Sequence, residues 1–136
     1  MPAAGEIGDP VSWQHAPVSD YDLICKTIAR NNLALDDRRF EDCIATYTPD
    51  GSIAGHTDHA AIREFMFGQD LATRPELQRR HVNSNIAIEL HGEEADAVSD
   101  LLVYDKVADG PWALVAVGRS SGDWLCFLAI SACGLI

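Results

Sequence analysis

The chain has 136 residues, 47% of them hydrophobic, which is enough for one domain with a core and a lined cavity and too little for a second domain. Ten basic residues stand against 21 acidic ones, and the net charge of -11 repels nucleic-acid phosphates and anionic lipid. That excludes a nucleic-acid or membrane-surface protein and leaves a binder of small molecules or of other proteins.

In chain order, residues 1–18 are rich in Pro and Gly and lack a basic stretch followed by an apolar run. They read as an N-terminal arm able to pack Trp13 onto the body, not as a secretory leader. Residues 19–136 read as a single domain. Ser19 or Asp20 can cap a helix over Tyr21–Leu35 whose inward stripe, Tyr21, Ile24, Ile28, Asn31 and Leu35, has a 3.6-residue rhythm and ends at Asp36. Asp37 is expected to cap a shorter helix carrying Phe40, Cys43, Ile44 and Tyr47, with Thr48-Pro49-Asp50-Gly51 as the turn that stops it. A short strand at Ser52–Ala54 comes next. Asp58 then caps a third helix with Ala61, Ile62, Phe65 and Met66 inward, and Asp70–Gln78 is a polar connection.

From there the period switches to two. Arg80–Leu90 and Ala95–Lys106 read as long paired strands about a turn at His91-Gly92-Glu93-Glu94. Trp112–Arg119 and Trp124–Ser131 read as a second hairpin about Ser120-Ser121-Gly122-Asp123. Helices first and a strand meander afterwards imply an α+β fold, with helices on one face of an antiparallel sheet. The cysteines, Cys25, Cys43, Cys126 and Cys133, show no C-x-x-C spacing and read as buried free thiols suited to a reducing cytosol. The apolar run Leu125–Ile136 is too short to span a bilayer and suits a final buried strand.

Alternation puts His81, Asn83, Asn85 and Ala87 on one face of the first long strand and Val82, Ile86, Ile88 and Leu90 on the other. On the second, Val98, Asp100, Leu102 and Tyr104 share one face and Ala97, Ser99, Leu101 and Val103 the other. The polar face of the first strand is either solvated or, if the sheet curves around its helices, a cavity wall. Asp100 is either exposed or a second ionisable group at a site, and Tyr104 either packs or donates its hydroxyl to a substrate oxygen. Arg79 and Arg80 are split by the same alternation, one inward to orient Asp36 or hold an anionic group, one to solvent. His56-Thr57-Asp58-His59 matches no established zinc spacing and is read as a loop entering a capped helix. No G-x-S-x-G, P-loop or G-x-G-x-x-G stretch occurs, so serine-hydrolase, phosphoryl-transfer and dinucleotide readings fall away. Asp36 at a helix end and His81 at a strand start remain, a carboxylate and an imidazole able to move protons without metal or cofactor once brought into one apolar pocket.

The string ALDDRRFEDCIATYTPDGSI, a helix after it, RRHVNSNIAIEL and a strand ending LLVYD resemble the SnoaL-like branch of the NTF2-like superfamily over about Asp20–Tyr104. The resemblance implies a cone, a strongly bent antiparallel sheet wrapped around three helices with a deep pocket, commonly as a homodimer. The catalytic pattern it resembles is that of scytalone dehydratase, with Asp36 and His81 at the two working positions. Two positions depart from that pattern: Leu35 stands where a tyrosine is expected, and Tyr104-Asp105 where a second histidine is expected. The resemblance thus implies a cofactor-independent dehydratase, isomerase or cyclase, with no metal, acting on a small, largely apolar cyclic metabolite in the cytoplasm. Asp36 and His81 are its expected catalytic pair, and Tyr104, Asn83, Tyr47, Phe65, Asp100 and Trp124 its expected substrate contacts. The competing expectations are a non-catalytic NTF2-like binding module and an epoxide hydrolase.

Overall fold

The computed structural model describes residues 18–125 and 129–135, with side chains through Gly122. The order is α1 (Asp20–Asp36), α2 (Phe40–Ile44), β1 (Tyr47–Ile53), β2 (His56–Thr57), α3 (Asp58–Phe67), α4 (Asp70–Thr73), β3 (Leu77–His91), β4 (Glu94–Val107), β5 (Ala113–Leu125) and β6 (Ala129–Leu135). This is the expected α+β fold. The strands form one six-stranded sheet in the order β2-β1-β6-β5-β4-β3, antiparallel except that β1 runs parallel to β6. Among the described residues no helix is long and apolar enough to cross a membrane.

Helix α1 begins with a capping box: Ser19 Oγ accepts from the Asp22 N–H at 3.1 Å, and the Asp22 carboxylate accepts from the Ser19 N–H at 3.1 Å. Those Ser19 bonds hold the Asp22 carboxyl below its ordinary value. The inward stripe runs as expected except at Tyr21, which is exposed beside Cys25. Its buried residues pack with Phe40, Cys43 and Ile44 of α2, Ile62 and Met66 of α3 and Leu71 of α4 against Tyr47, Ala95 and Ala97 of the sheet.

Several boundaries differ from expectation, each for a local reason. Asp37 does not cap α2, whose N-cap residue is Arg39 with no side-chain capping bond; Asp37 instead closes α1 by donating its N–H to the Leu33 carbonyl. Thr48-Pro49-Asp50-Gly51 is not a turn. It lies within β1, where the register against β6 jumps between Tyr47 and Ser52, and such a break tolerates a proline that cannot donate to a ladder. The polar connection after α3 contains the short helix α4, and β3 starts at Leu77. Ser120-Ser121-Gly122-Asp123 is likewise not a turn. It is paired on both sides within β5, to β4 and to β6, and the link to β6 falls at 126–128, outside the described residues.

Register breaks also occur in β3 between Ser84 and Ala87, between β4 and β5 at Val103/Tyr104, and between β5 and β6 at Asp123/Trp124. Each adds an unmatched residue that bends its strand and strengthens the local twist, so the sheet curves around the helices. In β3 the break sits at Asn85, whose φ of 50° is in the left-handed region. It reverses the alternation: Arg79, His81 and Asn83 face inward before it, and Ile86 and Ile88 face inward after it, with Ile88 packed on the core. Asn85 therefore leaves the His81 face and bonds Asp100 at 2.7 Å on the outside.

Candidate active site

The end of α1 crosses the start of β3, and this crossing brings Asp36 to His81. Asp36 Oδ2 accepts the His81 backbone N–H at 2.9 Å, and Asp36 Oδ1 lies 2.6 Å from His81 Nδ1. An ionised Asp36 can only accept, so Nδ1 carries a proton, and in the neutral ring Nε2 then presents its lone pair. The Asp36 side chain is 4% exposed and that of His81 16%. The carboxylate thus stands behind the ring, and the ring meets the cavity.

The crossing is fixed from outside by Arg38. Its φ of 58° is unfavourable for a residue with a Cβ, and it turns the side chain back across the connection that leads into β3. The guanidinium donates to the carbonyls of Leu71 at 3.0 Å, Arg74 at 3.1 Å and Leu77. The segment just after Asp36 is thereby tied to the residue that opens the strand carrying His81.

The cavity measures about 440 Å³. Helix α1 supplies Ile28, Asn31, Asn32 and Leu35; β1 supplies Tyr47 and Ile53, the turn after it Ala54, and α3 Phe65. The sheet supplies His81 and Asn83 from β3, Ala97, Ser99 and Leu101 from β4, and Ser120 to Gly122 from β5. No Lys, Arg, Asp or Glu is among these lining residues, and the wall is largely apolar with the His81 imidazole set in it. Small inward residues on β4, Ala97 and Ser99, leave the room that larger ones would fill.

Beside His81 runs a neutral polar network. Asn32 Nδ2 donates to Asn83 Oδ1, Asn83 Nδ2 donates to Ser99 Oγ at 2.6 Å and to Ser120 Oγ at 3.4 Å, and the two serine oxygens are 2.9 Å apart. Ser99 is buried at 4% exposure, so its hydroxyl depends on these partners for its bonds. Sequence reasoning placed Asn83 in the site but missed Asn32, Ser99 and Ser120. The available signal was a serine on the otherwise apolar face Ala97, Leu101 and Val103; Ser120 was hidden by its reading as a turn residue.

Of the expected substrate contacts, Asn83, Tyr47 and Phe65 line the cavity. Tyr47 does so from the start of β1, not from a helix. Tyr104 and Asp100 do not reach it. They lie on the outer face of β4, where Tyr104 is registered against Arg80 and Leu114 and Asp100 accepts from Asn85 and Arg119. Those bonds hold the Asp100 carboxyl below its ordinary value, Asn85 contributing most. The side chain of Trp124 lies outside the described ones. The two arginines split as expected: Arg80 faces solvent over the Trp112 ring at 5.6 Å, and Arg79 faces inward in a two-pronged ion pair with Asp105, both distances 2.7 Å. In the His56–His59 segment, His56 stacks on Phe65 with centroids 4.5 Å apart, Asp58 accepts the Ala61 N–H at 2.9 Å, and His59 Nε2 lies 2.9 Å from the Tyr47 carbonyl oxygen.

Known proteins agree with this geometry at the level of fold. ActVI-ORFA from Streptomyces coelicolor superposes with a TM-score of 0.77 at 20% identity, covering 86% of this chain and 96% of that one. A protein from Catenulispora acidiphila solved in complex with S-DNPA gives 0.72 at 23% identity, with 85% and 92% covered. An NTF2-like protein with a cystatin-like fold from Novosphingobium aromaticivorans gives 0.72 at 17% identity, with 85% and 80% covered. No curated protein matches. The family profile described as a SnoaL-like domain matches residues 16–124, and the chain therefore belongs to the SnoaL-like domain family.

Proposed function

We propose that the chain is a cofactor-independent acid/base enzyme, a dehydratase, isomerase or cyclase, acting on a small, largely apolar cyclic molecule. One observation carries this reading: an imidazole on the wall of an apolar cavity whose Nδ1 is held at 2.6 Å by a buried carboxylate. Nε2 takes a proton from a carbon or hydroxyl of the bound molecule. Asp36 stabilises the imidazolium that forms, and Nε2 returns the proton to a leaving oxygen or to a second carbon. Asn83 orients the two serines, and the hydroxyl that does not donate to the other donates to a substrate oxygen while charge develops there. Proton transfer by such a pair supplies about 10²–10⁴-fold, and orientation in a water-poor cavity adds to it. The absence of cations and carboxylates among the described lining residues favours an uncharged substrate.

The test is deuterium exchange and dehydration measured by NMR on a panel of cyclic hydroxyketones, with wild type beside His81→Gln. Turnover by the wild type that vanishes in a folded variant supports the assignment, and equal turnover by both overturns it. The proposed protein partner is a second copy of the chain. The outer sheet face carries the exposed apolar residues Val82, Val98, Leu114 and Val117, which a dimer would cover. Light scattering that gives a monomer mass at all concentrations refutes that part alone.

A further inference from the structure

The inward ion pair Arg79–Asp105 has no place in the reaction described, yet it lies next to the dyad. Arg79 precedes His81 by two positions on the same face of β3, which sets their backbones about 7 Å apart. Asp105 is registered directly across from Arg79, as Val103 is from His81. The pair is two-pronged and mostly covered, with side chains 22% and 15% exposed. Such a pair keeps its geometry and is screened less than a surface one.

We propose that Arg79 and Asp105 are positioning residues that act on the dyad by opposed charge, Arg79 favouring the Asp36 carboxylate and the neutral ring, Asp105 favouring the imidazolium. This rests on reading Asp36 and His81 as the proton-handling pair. An acid/base group that must both take and return a proton works best when neither form is strongly preferred, and neighbours of opposite sign pull on such a group in opposite directions. Bonding to Asp105 raises Arg79, and the charges of Asp105, Asp70 and Asp36 add to that. Bonding to Arg79 lowers Asp105, and the charges of Arg79, His81 and Arg74 add to that. The charged groups that act on the Arg79–Asp105 pair are thus Asp36 from α1, Asp70 and Arg74 from α4 and its cap, and His81 from β3. The β5 residues registered against Val103 and Asp105 are Ala116 and Ala113, which carry no charge.

The experiment is an NMR titration of the imidazoles in the whole chain, with His81 assigned by the signal lost in His81→Gln. Arg79→Met should move the His81 midpoint up and Asp105→Asn should move it down, each by about one pH unit for a single charge at this separation. Arg79→Lys, which keeps the charge and loses the two-pronged geometry, should titrate with the wild type. Shifts of the same sign in the two neutral variants, or an unmoved midpoint in Asp105→Asn, overturn the proposal. If Arg79→Met does not fold, Asp105→Asn decides, because its amide still bonds Arg79. No turnover is read, so failure here leaves the proposed reaction standing, and failure of the reaction leaves this measurement valid.

Discussion

Replacing Asp36 by Asn changes one atom, and its effect can be worked from the geometry. The carboxylate accepts two bonds in a buried place, from the His81 N–H at 2.9 Å and from Nδ1–H at 2.6 Å. Bonds to a charged acceptor are worth about 1.5–3 kcal/mol each, against about 0.5–1.5 kcal/mol for neutral ones. Asn keeps an oxygen for the backbone N–H but turns an NH₂ toward Nδ1. That contact survives only if the ring shifts its proton to Nε2. The expected stability loss is therefore about 1–3 kcal/mol, the difference between charged and neutral bonds. A total of about 5–15 kcal/mol absorbs it, so the variant stays folded. The ring then shows the cavity an N–H where it showed a lone pair, and catalysed exchange should fall by about 10²–10⁴-fold. Nitrogen-15 spectra read the tautomer, urea melts the stability, and exchange the function. Retention of the Nε2 lone pair in the variant, or exchange at the wild-type rate, would refute the reasoning.

The Arg79–Asp105 pair sets part of the acid limit. Asp105 is held below its ordinary value by Arg79, so its contribution is full above the unfolded carboxyl range and is lost as pH falls through the lowered value. Asp105→Asn should flatten the fall in urea midpoint below about pH 4 relative to wild type, and an equally steep fall in both would contradict this. Ser99→Ala should cost about 1–3 kcal/mol in a urea melt, because the Asn83 amide and Ser120 hydroxyl lose a buried partner, and a loss well under about 0.5 kcal/mol would show that water replaces it. Ala54, at φ 50°, stands where glycine is easier, so Ala54→Gly should raise stability by about 1 kcal/mol, read as a higher Tm; an unchanged or lower Tm counts against it.

Asp36 and His81 were both legible because each marks a boundary: a 3.6-residue stripe stops at the first, and a two-residue period begins near the second. Parity along β3 also found Asn83, but carried on to Asn85 it failed, because an inserted residue is invisible to alternation. Asparagine tolerates positive φ better than most residues, so a faint signal was there. On β4 the grouping of residues into two faces held. Which group faces the helices was not contained in the pattern, and the assignment of Tyr104 and Asp100 to the site went to the wrong side. Here the small residues decide: Ala95, Ala97 and Ser99 lie under the helices because bulky ones would fill the space. Pro49 and Gly51 were read as ending an element, although a register break let the strand absorb them.

The left-handed residue at Asn85 divides β3 into two halves of opposite parity. Before it, inward positions hold the polar chemistry; after it, they hold the oil that seats the strand on the core. A substitution among Arg79, His81 and Asn83 can therefore change the polar half of the strand with little effect on packing between Ile86 and Ile88. Selection, or an engineer, has two independently adjustable modules on one continuous strand.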